Sequence, residues 1–222
     1  MTSQDEIRDL DVNQRRRAVK LLKEKFDHQE DKDQVWMDLH SLTQDTYIDV
    51  RRSATEALIT VFSQIPNKSQ AWQDLISLTQ DEDRFVRERA AGALKAVFPQ
   101  VPDRDQAWQD LISLTQDEDR FVRERAAGAL GSAFSHVPDK EQAWQVLHSL
   151  TQDENSNVRS TSNHSLGRIS ILRATESDDE FRTHLEEAIE FFRRSSEDAE
   201  YTNPAAFCLP FYRSLHSLLF TE

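Results

Sequence analysis

Apolar side chains recur along this chain at steps of three and four residues, in two successive stretches, and the pair of stretches then repeats. In AWQDLISLTQ, residues 71–80, Trp72, Leu75, Ile76 and Thr79 fall on one face of a short first helix. Asn67 or Ser69 can cap its start. In FVRERAAGALKAVF, residues 85–98, Val86, Ala90, Ala93, Leu94, Val97 and Phe98 form a longer stripe that predicts a second helix. The link between them, Asp81-Glu82-Asp83, puts carboxylates at that helix's N-terminus, where free N–H groups and the helix dipole favour negative charge. Pro102 then closes the unit, since proline cannot continue a helix.

The step between units is 36 residues. It relates Trp36, Trp72, Trp108 and Trp144; Pro66, Pro102 and Pro138; Asp9, Asp45, Asp81, Asp117 and Asp153; and Arg15, Arg51, Arg87, Arg123 and Arg159. Residues 67–102 and 103–138 differ at only eight positions, the mark of a recent duplication. One hairpin cannot bury both stripes alone, whereas neighbours stacked side by side share a continuous core. The tryptophans are expected in that core. Ala90, Ala91 and Gly92, with Ala126, Ala127 and Gly128, keep part of the second helix thin enough for close packing. The fourth unit has Ser162, Asn163, His164 and Ser165 where these units have Ala-Ala-Gly-Ala, so its stacking surface is more polar.

The stretch LTQDEDRFVRERAAGALKAV resembles the HEAT-like repeats named after phycobilin lyases, whose units run Leu, Asp, Val-Arg and an Ala-rich helix ending in Ala-Leu. The likeness covers roughly residues 9–172. It implies an all-α fold, a right-handed α-α superhelix, with the solenoid over residues 1–172 and a C-terminal helical extension over 173–222. It also implies a structural ladder of Asp45, Asp81, Asp117 and Asp153 with Arg51, Arg87, Arg123 and Arg159. The family serves scaffolds, adaptors and a few enzymes, so the fold does not assign the function.

Composition narrows the classes further. Charged residues make up 30% of the chain, and four Gly and six Pro are too few for the turns of a β-sandwich. The longest apolar run is too short to cross a bilayer, and MTSQDEIRDL lacks the basic-then-apolar order of a secretory signal. A soluble, cytoplasmic protein without a membrane partner is expected. Cys208, the one cysteine, fits a reducing compartment and reads as a small buried apolar residue.

No catalytic, cofactor or metal site is expected. The di-iron enzymes built from such repeats use His-Glu dipeptides, of which this sequence has none, and a lyase would need a chromophore pocket that no residue cluster marks. His28, His40, His136, His148, His164, His184 and His216 include no i, i+4 pair. His40 and His148 hold the register of Ile76 and Ile112 and read as stack-edge residues. No phosphate-binding loop, dinucleotide glycine pattern or nucleophile elbow is present.

A protein-binding scaffold remains, with its partner on the second helices, which line the concave side of HEAT-like solenoids. At 100° per residue, the positions opposite the buried stripe are Arg84, Glu88, Ala91 or Gly92, and Lys95. Their equivalents are Ile48, Arg52, Thr55 and Ile59 in the preceding unit and Arg120, Glu124, Ala127 and Gly131 in the following one. Arg16 and Lys23 extend the row to the N-terminal segment. The candidate partner-binding residues are therefore Arg16, Lys23, Ile48, Arg52, Ile59, Arg84, Glu88, Lys95, Arg120 and Glu124. A mostly basic row on a chain of net charge −13 suits an acidic protein segment. The alternatives are a nucleic-acid-binding repeat protein gripping phosphates with the same arginines, although the net charge disfavours it, and a lyase-like enzyme of the same repeat family.

Beyond residue 172 the period stops. Phe181, Leu185, Ile189 and Phe192 predict an amphipathic helix that caps the open end. NPAAFCLPFYRSLHSLLFTE is unusually apolar and either packs on that helix, begins a second helical domain continuing beyond this chain, or makes an oligomer contact.

Overall fold

Side chains of its own unit close the first helix at both ends in the unit that begins at Asn67. In the computed structural model, which describes residues 10–26, 32–137, 139–176 and 179–220, helix α4 spans Lys68–Leu78. Asn67 accepts from the Gln70 N–H at 3.1 Å to start it, and the Thr79 hydroxyl donates to the Ile76 carbonyl at 2.7 Å where it ends. Thr43, Thr115 and Thr151 make the same bond one unit apart, so these buried threonines are satisfied by the helices they terminate. Asp9 and Pro138 lie outside the described residues.

The acidic link then sets up the second helix. Asp81 accepts the Asp83 N–H at 2.8 Å, and Asp83 accepts the Val86 N–H at 3.1 Å as N-cap of α5, Arg84–Val97. Val86, Ala90, Ala93, Leu94, Val97 and Phe98 are all buried, as the stripe predicts. Phe98 opens a single 3-10 turn, Phe98–Gln100, and its ring meets Trp72 edge-on at 6.0 Å. Val101 is extended before Pro102, which ends the hairpin.

The same pattern builds the remaining elements, all helical among the described residues: α1 Val12–Lys25, α2 Lys32–Thr43, α3 Ile48–Val61, α6 Arg104–Leu114, α7 Arg120–Ala133, α8 Lys140–Leu150, α9 Ser156–Glu176, α10 Phe181–Asp198 and α11 Cys208–Phe220. The chain forms two compact units, residues 1–107 and 108–222, divided inside α6. In the first, α3 packs on α1, α2 and α5, and α5 packs on α4. In the second, α9 packs on α7, α8 and α10, and α11 on α10.

Two of the four tryptophans are core residues. Trp72 is 1% exposed and Trp108 is fully buried, its Nε1 donating to Gln142 at 3.0 Å. Trp36 and Trp144 are only half-buried, the latter edge-on to Phe191 and beneath the Arg173 guanidinium at 4.0 Å.

The serines and Asn163 of the fourth unit's polar stretch are buried and hydrogen-bonded, with His164 half-buried among them. Ser162 and Asn163 bond back to the Val158 and Arg159 carbonyls, Ser165 reaches the Ala127 carbonyl at 3.2 Å, and Ser160 the Ser195 carbonyl at 2.8 Å. Two glycines permit that packing. A Cβ on Gly131 would overlap the Ser165 side chain and come within 3.1 Å of its Cα, and one on Gly167 would lie 2.7 Å from the Phe192 ring.

In α10, Leu185, Ala188, Phe191, Phe192 and Ser195 are buried, while Phe181 and Ile189 are half-buried. Cys208, Leu209 and Tyr212 of α11 pack on the cluster of Ala188, Phe192 and Ala205, with Tyr212 stacked on Phe192 at 5.6 Å. Phe207, Phe211, Leu218 and Leu219 stay exposed.

Candidate partner-binding surface

The second helices are held in register by arginines that reach from one hairpin to the next. Arg51 donates Nε and Nη2 to the two oxygens of Asp81 at 2.7 and 2.9 Å, and its Nη1 to the Asp45 carbonyl at 2.9 Å. Arg123 does the same to Asp153 at 2.8 and 3.0 Å and to the Asp117 and Glu118 carbonyls. Arg15 pairs with Asp45 at 2.6 Å. Arg159 reaches Asp198 at 2.6 and 2.9 Å, so the ladder continues to the end of α10, beyond the last residue of the 36-residue period. These arginines are committed to structure.

Exposure then identifies which side chains a partner can reach. On α5 the exposed positions are Arg84, Phe85, Arg89, Lys95 and Ala96, with Glu88 and Gly92 half-buried beside them. On α3 they are Asp49, Glu56 and Thr60, flanked by Ser53. The row opposite the stripe is therefore corrected: Thr55, Ala91, Ala127 and Gly131 are buried. A second helix packs on its own first helix and on a neighbouring second helix, so its covered arc is wider than the apolar stripe alone indicates.

The predicted residues divide accordingly. Arg16, Lys23, Arg84, Lys95 and Arg120 are exposed. Ile48 is half-buried and lies against the core cluster of Leu78, Val86 and Ala90. Ile59, Glu88 and Glu124 are half-buried. Arg52 donates twice to Asp83, at 3.0 and 2.9 Å, and lies over the Phe85 ring at 4.6 Å. Burial pushes the Asp83 carboxyl upward, but the Arg52 hydrogen bond and the capped N–H groups outweigh it and hold its pKa below the ordinary value. Phe85, 54% exposed, also has the Arg84 guanidinium 5.9 Å from its centroid, and Arg120 lies 4.9 Å over Phe121.

The sequence row missed Arg17 and Lys20. With Arg16 and Lys23 they line an open groove of about 530 Å³ between α1 and α3. The signal was present in VNQRRRAVKLLKEK, which holds six cations and one carboxylate.

A polar cluster lies on the first helices of the N-terminal unit. His40 Nδ1 is 2.8 Å from Asp74 Oδ2, and the Asp74 side chain is 3% exposed. The carboxylate raises the His40 pKa above its ordinary 6.5, burial opposing it. A histidine raised in the folded state contributes stability that is complete below about 6.5 and fades as pH climbs past the folded value. His40→Ile, the residue at the matching positions 76 and 112, is expected to flatten the dependence of the urea midpoint on pH between about 6 and 8; an unchanged slope would remove this pair from the account.

Among the described residues no cluster of three or more His, Cys, Asp or Glu could hold a metal ion, and no helix is long and apolar enough to cross a membrane. Cys208 Sγ lies 3.8 Å from His164 Nε2, and desolvation pushes the thiol up, away from the thiolate a nucleophile needs.

The model of HEAT repeats matches residues 37–131 and 108–199. The chain belongs to the HEAT-repeat family. The match is to HEAT repeats at large, which is the level at which the resemblance holds, and it runs past the end of the 36-residue period. Comparison with curated proteins returns no match. Among solved structures, a designed armadillo repeat protein in complex with the peptide (KR)4 is 16% identical, with a TM-score of 0.53 over 98% of both chains. Computationally designed armadillo repeat proteins for modular peptide recognition are 16% identical, with a TM-score of 0.51 over 90% of both chains. These likenesses show an all-α HEAT and armadillo type of helical-repeat fold.

Proposed function

We propose that this HEAT-repeat protein is a non-catalytic scaffold that holds a protein partner on the exposed side of its second helices. The observation that carries this reading is Phe85, a large apolar ring left open to solvent while the Arg52 and Arg84 guanidinium groups lie near it. Aromatic and arginine side chains are the usual anchors of protein interfaces, and a ring already fixed loses little freedom on binding. Arg120 with Phe121 offers the same pairing again. The Arg–Asp ladder supports the role by fixing the helices that present these groups.

The partner's proposed chemistry is an acidic segment. The armadillo neighbour is in complex with (KR)4, a basic peptide, whereas the groove on α1 here is lined with cations. The nucleic-acid reading draws on the same cations, and a chain of net charge −13 opposes it.

Phe85→Ala combined with Arg84→Glu is expected to remove the specific proteins that the full chain retains from lysate, with helicity by circular dichroism unchanged. The same retained proteins in the same amounts would overturn the placement of the partner on this face. Loss of those proteins after nuclease treatment would transfer the function to nucleic acid.

A further inference from the structure

Four exposed cations stand together on α1: Arg16, Arg17, Lys20 and Lys23. Residues 16, 20 and 23 fall at helical spacings of four and three, so they share one face, with Arg17 beside them. The face spans about 10 Å along the axis. Among the described residues Arg16, Arg17 and Lys23 have no ion-pair partner, and Lys20 only approaches Glu24 at 3.7 Å with both side chains in water. By contrast Arg15, Arg51, Arg52, Arg123 and Arg159 all have carboxylates, and Arg193 and Arg194 share Glu190.

The far wall of the groove comes from α3, through Ser53 and Glu56. Glu56 does not cancel the field, because Arg89 already pairs with it. The result is a concave strip of unneutralised positive charge, open to solvent, on a protein of net charge −13.

We infer that this groove is the docking site for the acidic segment of the protein partner, seating two or three carboxylates of a short peptide; the inference rests on the scaffold reading and names its partner's chemistry and position. Charge complementarity selects the occupant. In about 0.15 M salt the field of a charge fades within about 8 Å, so a short peptide lying in the groove senses chiefly these four cations. A nucleic-acid duplex or a lipid surface extends well beyond that distance and meets the acidic remainder of the molecule. An extended segment advances about 3.3 Å per residue, so carboxylates on alternate residues repeat at about 6.6 Å, close to the one-turn separation of Arg16 and Lys20. The two arginines can each grip a carboxylate with paired N–H groups, while the lysines act as point charges.

The test uses the full chain and a fluorescein-labelled peptide of alternating Glu and Ser, with the Gln-for-Glu peptide as control, read by fluorescence anisotropy. The Glu peptide is expected to bind and the Gln peptide not. Arg17→Glu with Lys20→Glu is expected to weaken binding at least about tenfold, because it reverses half the cations, and Arg104→Glu with Arg213→Glu, an equal change of net charge at exposed positions outside the groove, to change it less than about twofold. Circular dichroism on both variants shows that the helices are intact. An equal loss of binding in the Arg104/Arg213 variant would overturn the groove while leaving the scaffold reading in place. Tighter binding of a short oligonucleotide or of phosphatidylserine vesicles would overturn the choice of a peptide. Failure of the wild-type chain to bind the Glu peptide at low salt would overturn the inference outright.

Discussion

Arg123→Ala is expected to destabilise the chain by about 3–5 kcal/mol, measured as a fall in the urea midpoint followed by circular dichroism. The side chain of Asp153 is 9% exposed and relies on Arg123 for two hydrogen bonds, at 2.8 and 3.0 Å. Removing the guanidinium leaves that carboxylate with little solvent to replace it and also frees the Asp117 and Glu118 carbonyls. Arg125→Ala, two residues along on the exposed side of α7, is expected to change stability by less than about 0.5 kcal/mol. Asp153→Asn should cost less in the Arg123→Ala background than in the wild type, because its partner is already gone. The pair also sets an acid limit. Burial pushes the Asp153 carboxyl up, but the hydrogen bonds from Arg123 and the Asn155 N–H prevail and hold it below 3.8, so its contribution is present above that value and is lost as pH falls through the folded pKa. Equal losses at Arg123 and Arg125 would mean that the ladder does not hold the hairpins together.

Trp72→Ala is expected to cost a similar amount, about 3–5 kcal/mol, by opening a cavity where Trp72 meets Phe98. Trp36→Ala should cost distinctly less, since that ring is half-exposed and stacks on His40 at 5.7 Å. The two variants occupy the same register of their hairpins, so the difference measures burial rather than sequence position. Equal losses would show that the register, and not the enclosed neighbour, sets the value.

Much of this architecture is legible in the sequence because the units are equal in length. An arginine 30 residues before an aspartate recurs as Arg51 with Asp81 and as Arg123 with Asp153, and the buried stripe of α5 follows directly from helical spacing. Asp198 was hidden because α9 and α10 are longer than the helices before them, which moves its separation from Arg159 to 39 residues. The period ends in the sequence where lengths change, although the packing logic does not.

The candidate surface was less legible, for a geometric reason. Placing the exposed row directly opposite the stripe assumes that each helix buries one narrow face, whereas α3 is covered by α1, α2 and α5 together. Thr55 and Ala91 fall under that cover, and the open row shifts to Ser53, Glu56, Arg89 and Gly92. Arg17 and Lys20 occupy this same shifted register one unit earlier. They stood in plain view as charges, but only the corrected row makes them part of a surface.

The central claim is that partners are held by the outward side of the second helices, with the cationic groove as anchor. Mapping amide chemical-shift changes on the full chain while adding the Glu-containing peptide tests it most directly. Shifts are expected to concentrate in α1 and the facing residues of α3, around Arg17, Lys20, Ser53 and Glu56. Shifts confined to the first helices α2 and α4, or to α10 and α11, would contradict it.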